Sequence, residues 1–188
     1  MKRIPLVLAA ALVSANSAYA VDGALMTSFY TENIAGWAND PVLIDAIVAQ
    51  NVMTANYDSA MIDQLDQTWR AEVGTGSTPT IDPVLQNAAA DFLRDQVAAS
   101  GGLITEVFIM DAKGLNVAAS AVTSDYWQGD EAKFLETYPM GSGAMHFSDI
   151  EFDESSQSYQ AQVSVTLSDG AGNVIGAMTV GIIADALM

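Results

Sequence analysis

Tyr159-Gln160-Ala161-Gln162-Val163-Ser164-Val165-Thr166-Leu167 alternates apolar and polar residues without a break. That is the period-two signature of a strand with one face buried. Asp169-Gly170-Ala171-Gly172-Asn173 follows as a turn, and Val174 to Ile183 is apolar on both faces, as a central strand should be. The pair reads as an antiparallel hairpin at the heart of a sheet. Upstream, Leu103 to Met110 is a further strand with Val107 and Ile109 on one face. Asp111-Ala112-Lys113-Gly114 is a tight turn with glycine where positive φ is needed, and Leu115 to Ser120 is the returning strand. Gly141-Ser142-Gly143 opens another strand pair.

Before Gly101-Gly102 the period changes to that of helices. Ala24 to Trp37 carries Leu25, Phe29, Ile34 and Trp37 on one face. Asn39-Asp40-Pro41 breaks the run and restarts it, with Asp40 as cap and Pro41 in the first turn, continuing through Val42, Leu43, Ala46 and Ile47 to about Asn51. A helix over Ser59 to Val73 buries Met61, Ile62, Leu65 and Trp69. Gly74 to Pro79 is a break. Asp82 and Pro83 start a helix expected to run unbroken to Ala99. Helices first and a hairpin-connected antiparallel sheet second define an α+β domain, with a helical half at about 24–100 and a sheet half at about 103–185.

Residues 1–20 read as an export address. Met1-Lys2-Arg3 is basic, Ile4 to Val13 is apolar but short of the ~20 residues a spanning helix needs, and Ala18-Tyr19-Ala20 fits a small-x-small cleavage site. The expected mature chain, 21–188, is one exported domain, periplasmic in a Gram-negative cell and secreted otherwise, with no membrane insertion after cleavage. The chain has 6 Lys+Arg against 23 Asp+Glu, a net charge of −17; removal of Lys2 and Arg3 leaves 4 against 23. Such a surface repels nucleic acid and anionic lipid. No cysteine is present, so disulfides and thiolate metal sites are excluded.

Ser124-Asp125-Tyr126-Trp127-Gln128-Gly129-Asp130-Glu131 stands apart. Two aromatics, an amide, a glycine and several carboxylates are poor core material and good material for the lid of a small-molecule pocket. Tyr126 and Trp127 offer faces to a ligand ammonium, with Asp130 or Asp125 as counter-charge. Asp130 has a competing role as cap of a short helix over Glu131 to Tyr138.

The ordered set of segments is similar to the extracytoplasmic PAS-like sensor domains called Cache or PDC domains, in the single-domain form. The resemblance is carried by Asp40-Pro41-Val42-Leu43-Ile44-Asp45-Ala46-Ile47, Leu65-Asp66-Gln67-Thr68-Trp69-Arg70 and Glu106-Val107-Phe108-Ile109-Met110-Asp111-Ala112-Lys113-Gly114-Leu115-Asn116-Val117. The 124–131 loop, Phe152-Asp153-Glu154-Ser155-Ser156, Gln162-Val163-Ser164-Val165 and Ile175-Gly176-Ala177 complete it. It implies long N-terminal helices on one face of a five-stranded antiparallel sheet. On the other face, closed by the segment between the second and third strands, it implies a ligand pocket.

With that arrangement Gln162 becomes a pocket residue. Asp153 stands either at the pocket mouth or in a plain acidic turn, and Lys133 or Arg94 pairs with the carboxylate of a zwitterion. The scarcity of basic residues favours an amine, an amino acid or another cation-bearing ligand. Signal transduction is implied, through a membrane-bound sensor kinase or chemoreceptor as partner. The alternative is an interaction module that docks to a membrane histidine kinase or chemoreceptor without a ligand of its own, and a homodimer through the helices is compatible with either reading.

Catalysis is not expected. His146 is the only histidine, no Gly-x-Ser-x-Gly elbow is present, and Gly74-Thr75-Gly76-Ser77 lacks the lysine of a phosphate loop. Asp149, Glu151, Asp153 and Glu154 cluster in sequence without the spacing of a calcium loop, so neither a metal nor a cofactor is expected.

Overall fold

The computed structural model describes residues 22–153 and 157–187. The proposed export address and its cleavage site, and Glu154, Ser155 and Ser156 of the resemblance, lie outside them. Five helices come first: α1 (Gly23–Asn33), α2 (Pro41–Thr54), α3 (Ser59–Glu72), α4 (Asp82–Leu85) and α5 (Ala88–Ala99). Then follow β1 (Ile104–Met110), β2 (Asn116–Ala119), the short α6 (Ala132–Leu135), β3 (Met145–Phe147), β4 (Glu151–Asp153), β5 (Ser158–Ser168) and β6 (Val174–Ile183). The domain is α+β, as its patterning requires.

Among the described residues these strands form one antiparallel sheet in the order β2-β1-β6-β5-β3, with β4 also pairing β5. The edge next to β5 is therefore one strand position divided in two. β3 pairs Met145–Phe147 with Val165–Val163, and β4 pairs Glu151–Asp153 with Gln160–Ser158. Five positions filled by six strands is the refinement the structure makes to the five-stranded expectation.

One sheet face is apolar and carries the main core. Val107, Ile109, Val163, Val165, Met178, Val180 and Ile182 pack against Leu43 and Ile47 of α2 and Ala89, Ala90 and Leu93 of α5. Leu43 and Ile47 are fully buried, each stabilising the fold by roughly 1.5–3 kcal/mol. Asp40 caps α2 through the Val42 N–H at 3.0 Å, with Pro41 in the first turn. The C-terminal end of α2 is tied to the β1–β2 turn by polar groups. Buried Asp111 accepts from Thr54 Oγ1 at 2.7 Å and from the Lys113 and Leu115 amides, which shapes the Asp-x-x-Gly turn from inside.

Three helical boundaries differ from the sequence reading. The first helix ends at Asn33, and residues 34–39 form turns in which Ile34 and Ala38 are buried. The run expected over 82–99 is two helices. Asn87 interrupts it in an extended conformation and caps α5 by accepting the Ala90 N–H at 2.9 Å. The helix expected at 131–138 is a single turn, α6, followed by a 3-10 turn at Tyr138–Met140. No helix among the described residues is long and apolar enough to cross a membrane.

Candidate functional site

The second sheet face is polar at one end. Across the strands, Glu106 of β1 stands opposite Gly181 of β6, and Gly181 opposite Gln162 of β5. One step along, Phe108, Thr179 and Ser164 form the next row, with Ser164 and Thr179 fully buried and their hydroxyls 2.9 Å apart. Beyond that the face turns apolar. Phe108, Met110, Ala119 and Ala177 pack against Trp69 of α3, Ile81, Val84 of α4 and Phe134 of α6. Phe134 anchors α6 on the sheet, which leaves Lys133 and Ala132 over the polar end.

A cleft of about 330 Å³ lies between α6 and the divided edge. Residue 131, Ala132 and Lys133 line one side, His146 and Ser148 the end of β3, and Glu151, Phe152 and Asp153 of β4 the other side, with Gln160 and Gln162 of β5 beneath. Lys133 is the one cation among these lining residues. Its Nζ is 2.9 Å from Glu131 Oε2, 3.2 Å from Gln128 Oε1 and 5.5 Å above the Phe108 ring. His146 Nδ1 is 3.0 Å from Glu136 Oε2. Three lining carboxylates, Glu131, Glu151 and Asp153, against one ammonium make the cleft an environment for positive charge.

Glu106 lies behind the glutamines. Its Oε1 accepts from Gln160 Nε2 at 2.8 Å and from Gln162 Nε2 at 3.1 Å. Burial pushes its carboxyl above the ordinary range and the Asp153 charge adds to this, while the two amide donors and Lys133 act in the opposite sense. Gly181 makes room for the group: a Cβ there would sit 2.4 Å from Thr105 Oγ1, 2.7 Å from Gln160 Oε1 and 2.9 Å from Glu106 Cγ.

Of the 124–131 loop, Glu131 lines the cleft, while its aromatics are packed elsewhere. Tyr126 stacks on Trp69, ring centroids 5.3 Å apart and planes 16° from parallel, so one of its faces is already covered. Burial, with the charges of Asp111 and Tyr57, pushes its phenol well above the usual range. Trp127 donates Nε1–H to the Lys113 carbonyl at 2.8 Å and forms a bridge with Leu115. The backbone N–H groups of Tyr126 and Trp127 both bind Asp66 Oδ1 of α3, at 2.9 and 3.0 Å. The loop is thus stitched to β2 and α3.

Of the six residues singled out in the sequence, Lys133, Asp153 and Gln162 meet in the cleft, while Tyr126, Trp127 and Asp130 stand outside its lining. Asp130 is exposed, and α6 begins two residues after it with no side-chain cap, so the capping role falls away too. Arg94 is on α5, bound to the Leu85 carbonyl and Asp91. Gln160 belongs to the same polar strand face as Gln162, whereas Glu106 and Phe152 were not singled out. A glutamate directly before the apolar run Val107–Met110 was the available signal for Glu106. Among the described residues no three His, Asp or Glu side chains group to hold a metal ion.

No family model matches the chain, and no curated protein matches it. Solved structures do. The sensor domain of the Vibrio cholerae histidine kinase DctB is 14% identical at a TM-score of 0.43, covering 87% of this chain and 51% of that one. The sensory domain of the Campylobacter jejuni chemoreceptor Tlp3 with isoleucine bound is 13% identical at 0.42, covering 89% and 66%. An extracellular ligand binding receptor from Desulfohalobium retbaense is 14% identical at 0.42, covering 81% and 26%. The chain thus spans less than two thirds of each, and at these TM-scores the likeness identifies no ligand.

Proposed function

We propose that this chain is an exported sensor domain of the Cache type that binds an amine, an amino acid or a similar metabolite and contributes to signal transduction. The observation that carries the reading is the cleft between α6 and β4. Phe152 supplies an aromatic wall, Glu131, Glu151 and Asp153 supply negative charge, and Lys133, which is paired with Glu131 at 2.9 Å, is the cation in the lining that meets a ligand carboxylate. An ammonium beside an aromatic face gains roughly 0.5–2 kcal/mol as it is desolvated. The basic, apolar, small-x-small pattern of residues 1–20 supports export to the periplasm.

A thermal-shift screen of amines, amino acids and organic acids tests it. Amines or amino acids raise the melting temperature, and Asp153→Asn and Phe152→Ala each weaken that response. Stabilisation by organic acids alone, or an unchanged response in both variants, overturns the ligand assignment.

A second reading, an interaction module for a membrane histidine kinase or chemoreceptor, is favoured by the outer face of α2, where Val48, Val52 and Met53 are exposed at 42%, 76% and 66%. Co-purification with an envelope partner in the absence of any ligand-dependent stabilisation supports it.

A further inference from the structure

The floor of the cleft has a fixed polarity. An ionised carboxylate only accepts hydrogen bonds, and an amide group donates at one end and accepts at the other. Glu106 Oε1 takes the NH₂ group of Gln160 and that of Gln162. The opposite end of Gln160 is occupied as well, since its Oε1 accepts from Thr105 Oγ1. Gln160 is therefore held at both ends and cannot reverse without breaking two bonds. Gln162 is held at its donor end alone; among the described residues its Oε1 has no hydrogen-bond partner, and the residue lines the cleft.

We propose that Glu106 is a specificity-determining residue: by taking both amide donors it leaves the Gln162 carbonyl oxygen as an acceptor in the cleft, matched to the ammonium group of an amine or amino-acid ligand. This rests on the cleft being the binding site. Glu106 does not line the cleft and acts through Gln162, so it is a positioning residue. Asp153 and Glu151 on β4 extend the acceptor surface, and Lys133 on α6 provides the one donor charge among the lining residues. A ligand group that can only accept, such as a carboxylate, finds no donor at Gln162. A ligand without the donor leaves the half-buried Gln162 acceptor unpaired, and that difference sets the preference.

Replacing Glu106 by glutamine removes the constraint. A third amide offers both a donor and an acceptor, so Gln162 is free to reverse and present its NH₂ group. The prediction is a change in preference. A merely structural role for Glu106 would weaken every ligand alike.

The test uses isothermal titration of the purified chain with three matched probes: L-leucine, isoamylamine and 4-methylpentanoate. The wild type binds the two ammonium-bearing probes and favours isoamylamine over 4-methylpentanoate. In Glu106→Gln that ratio falls at least tenfold, and the hydrogen-bonded NH₂ proton resonances of Gln160 and Gln162 move in the amide spectrum. Gln162→Met, which keeps Glu106 and removes the acceptor, weakens isoamylamine to a similar extent and decides the matter if Glu106→Gln does not fold. Equal weakening of all probes, or an unchanged ratio in both variants, overturns the role of Glu106 while leaving the cleft as the binding site. If no probe binds the wild type, and the amine, amino-acid and organic-acid screen is also silent, the cleft reading fails and the inference fails with it.

Discussion

Gly114 and Gly129 touch back to back: a Cβ built on Gly114 would lie 2.5 Å from the Cα and 2.7 Å from the N of Gly129. The β1–β2 turn and the loop that follows β2 cross at this point, and the Gln128 N–H donates to the Gly114 carbonyl at 2.8 Å. Gly114 also has φ +81°, in the left-handed region. Gly114→Ala therefore meets rigid backbone as well as an unfavourable dihedral. It should lower stability by about 2–4 kcal/mol, as measured by urea unfolding. A loss below about 1 kcal/mol would mean that the two segments are free to part.

Asp66 accepts two backbone N–H groups of the loop and the Arg70 guanidinium, the last at 2.8 Å. Asp66→Ala strands both amides and should cost about 2–3 kcal/mol. Arg70→Ala should cost no more than about 1 kcal/mol, because the Arg70 side chain is 56% exposed and its ion pairs are screened by solvent. Comparable losses in the two variants would show that the ion pair, and not the amide bonds, holds the loop.

Trp127→Ala separates packing from binding. The indole is half-buried and bonded to the Lys113 carbonyl, so its loss should cost about 2 kcal/mol, less than the ~3–5 typical of a fully buried tryptophan. Ligand affinity, measured well below the melting temperature, should stay within about twofold, in contrast with Phe152→Ala. A selective loss of affinity in Trp127→Ala would return the loop to the role of a lid.

Glu106 gives stability a defined pH dependence. Its carboxyl holds a proton more tightly in the folded chain than in the unfolded one. This contribution is fully present below the ordinary value of 4.5 and is lost as pH rises from there towards the folded-state value. Glu106→Gln does not titrate. The unfolding free energy of the wild type relative to the variant should fall as pH rises above about 4.5 and then level off. A difference that stays flat over that window would place the folded-state pKa at its unfolded value.

The sheet was legible because the apolar residues of β5 share one face: Ala161, Val163, Val165 and Leu167 are buried on the core side, although Gln160 and Ser164 are buried on the other face as well. Asp40 was legible as a cap because the proline after it leaves few other conformations open. Asn87 was not, since the residues on both sides of it have good helical spacing and only the packing of α5 against β1 and β2 decides where the chain must bend. The cleft was half legible for a similar reason. Gln162, Lys133 and Asp153 announced themselves as polar groups in pocket-forming segments, but the 124–131 loop has the same composition and a different fate. Its aromatics are spoken for by Trp69 and Lys113, and its amides by Asp66. Such partners lie from 14 to 61 positions away in sequence, beyond the reach of local pattern.

The division of the sheet edge into β3 and β4 has a consequence for how the domain breathes. On one side β5 is held by β6 from Gln160 to Ser168, and on the other by two three-residue strands. Free energies of local opening follow such differences in pairing, so the β3–β4 edge is where amide protons should exchange soonest, well before those of β6. The wall of the cleft that carries Phe152 and Asp153 is part of that edge. A ligand seated against it would spend part of its affinity on quietening the edge, and its arrival would register as slowed exchange along one rim of the sheet while the core kept its own pace.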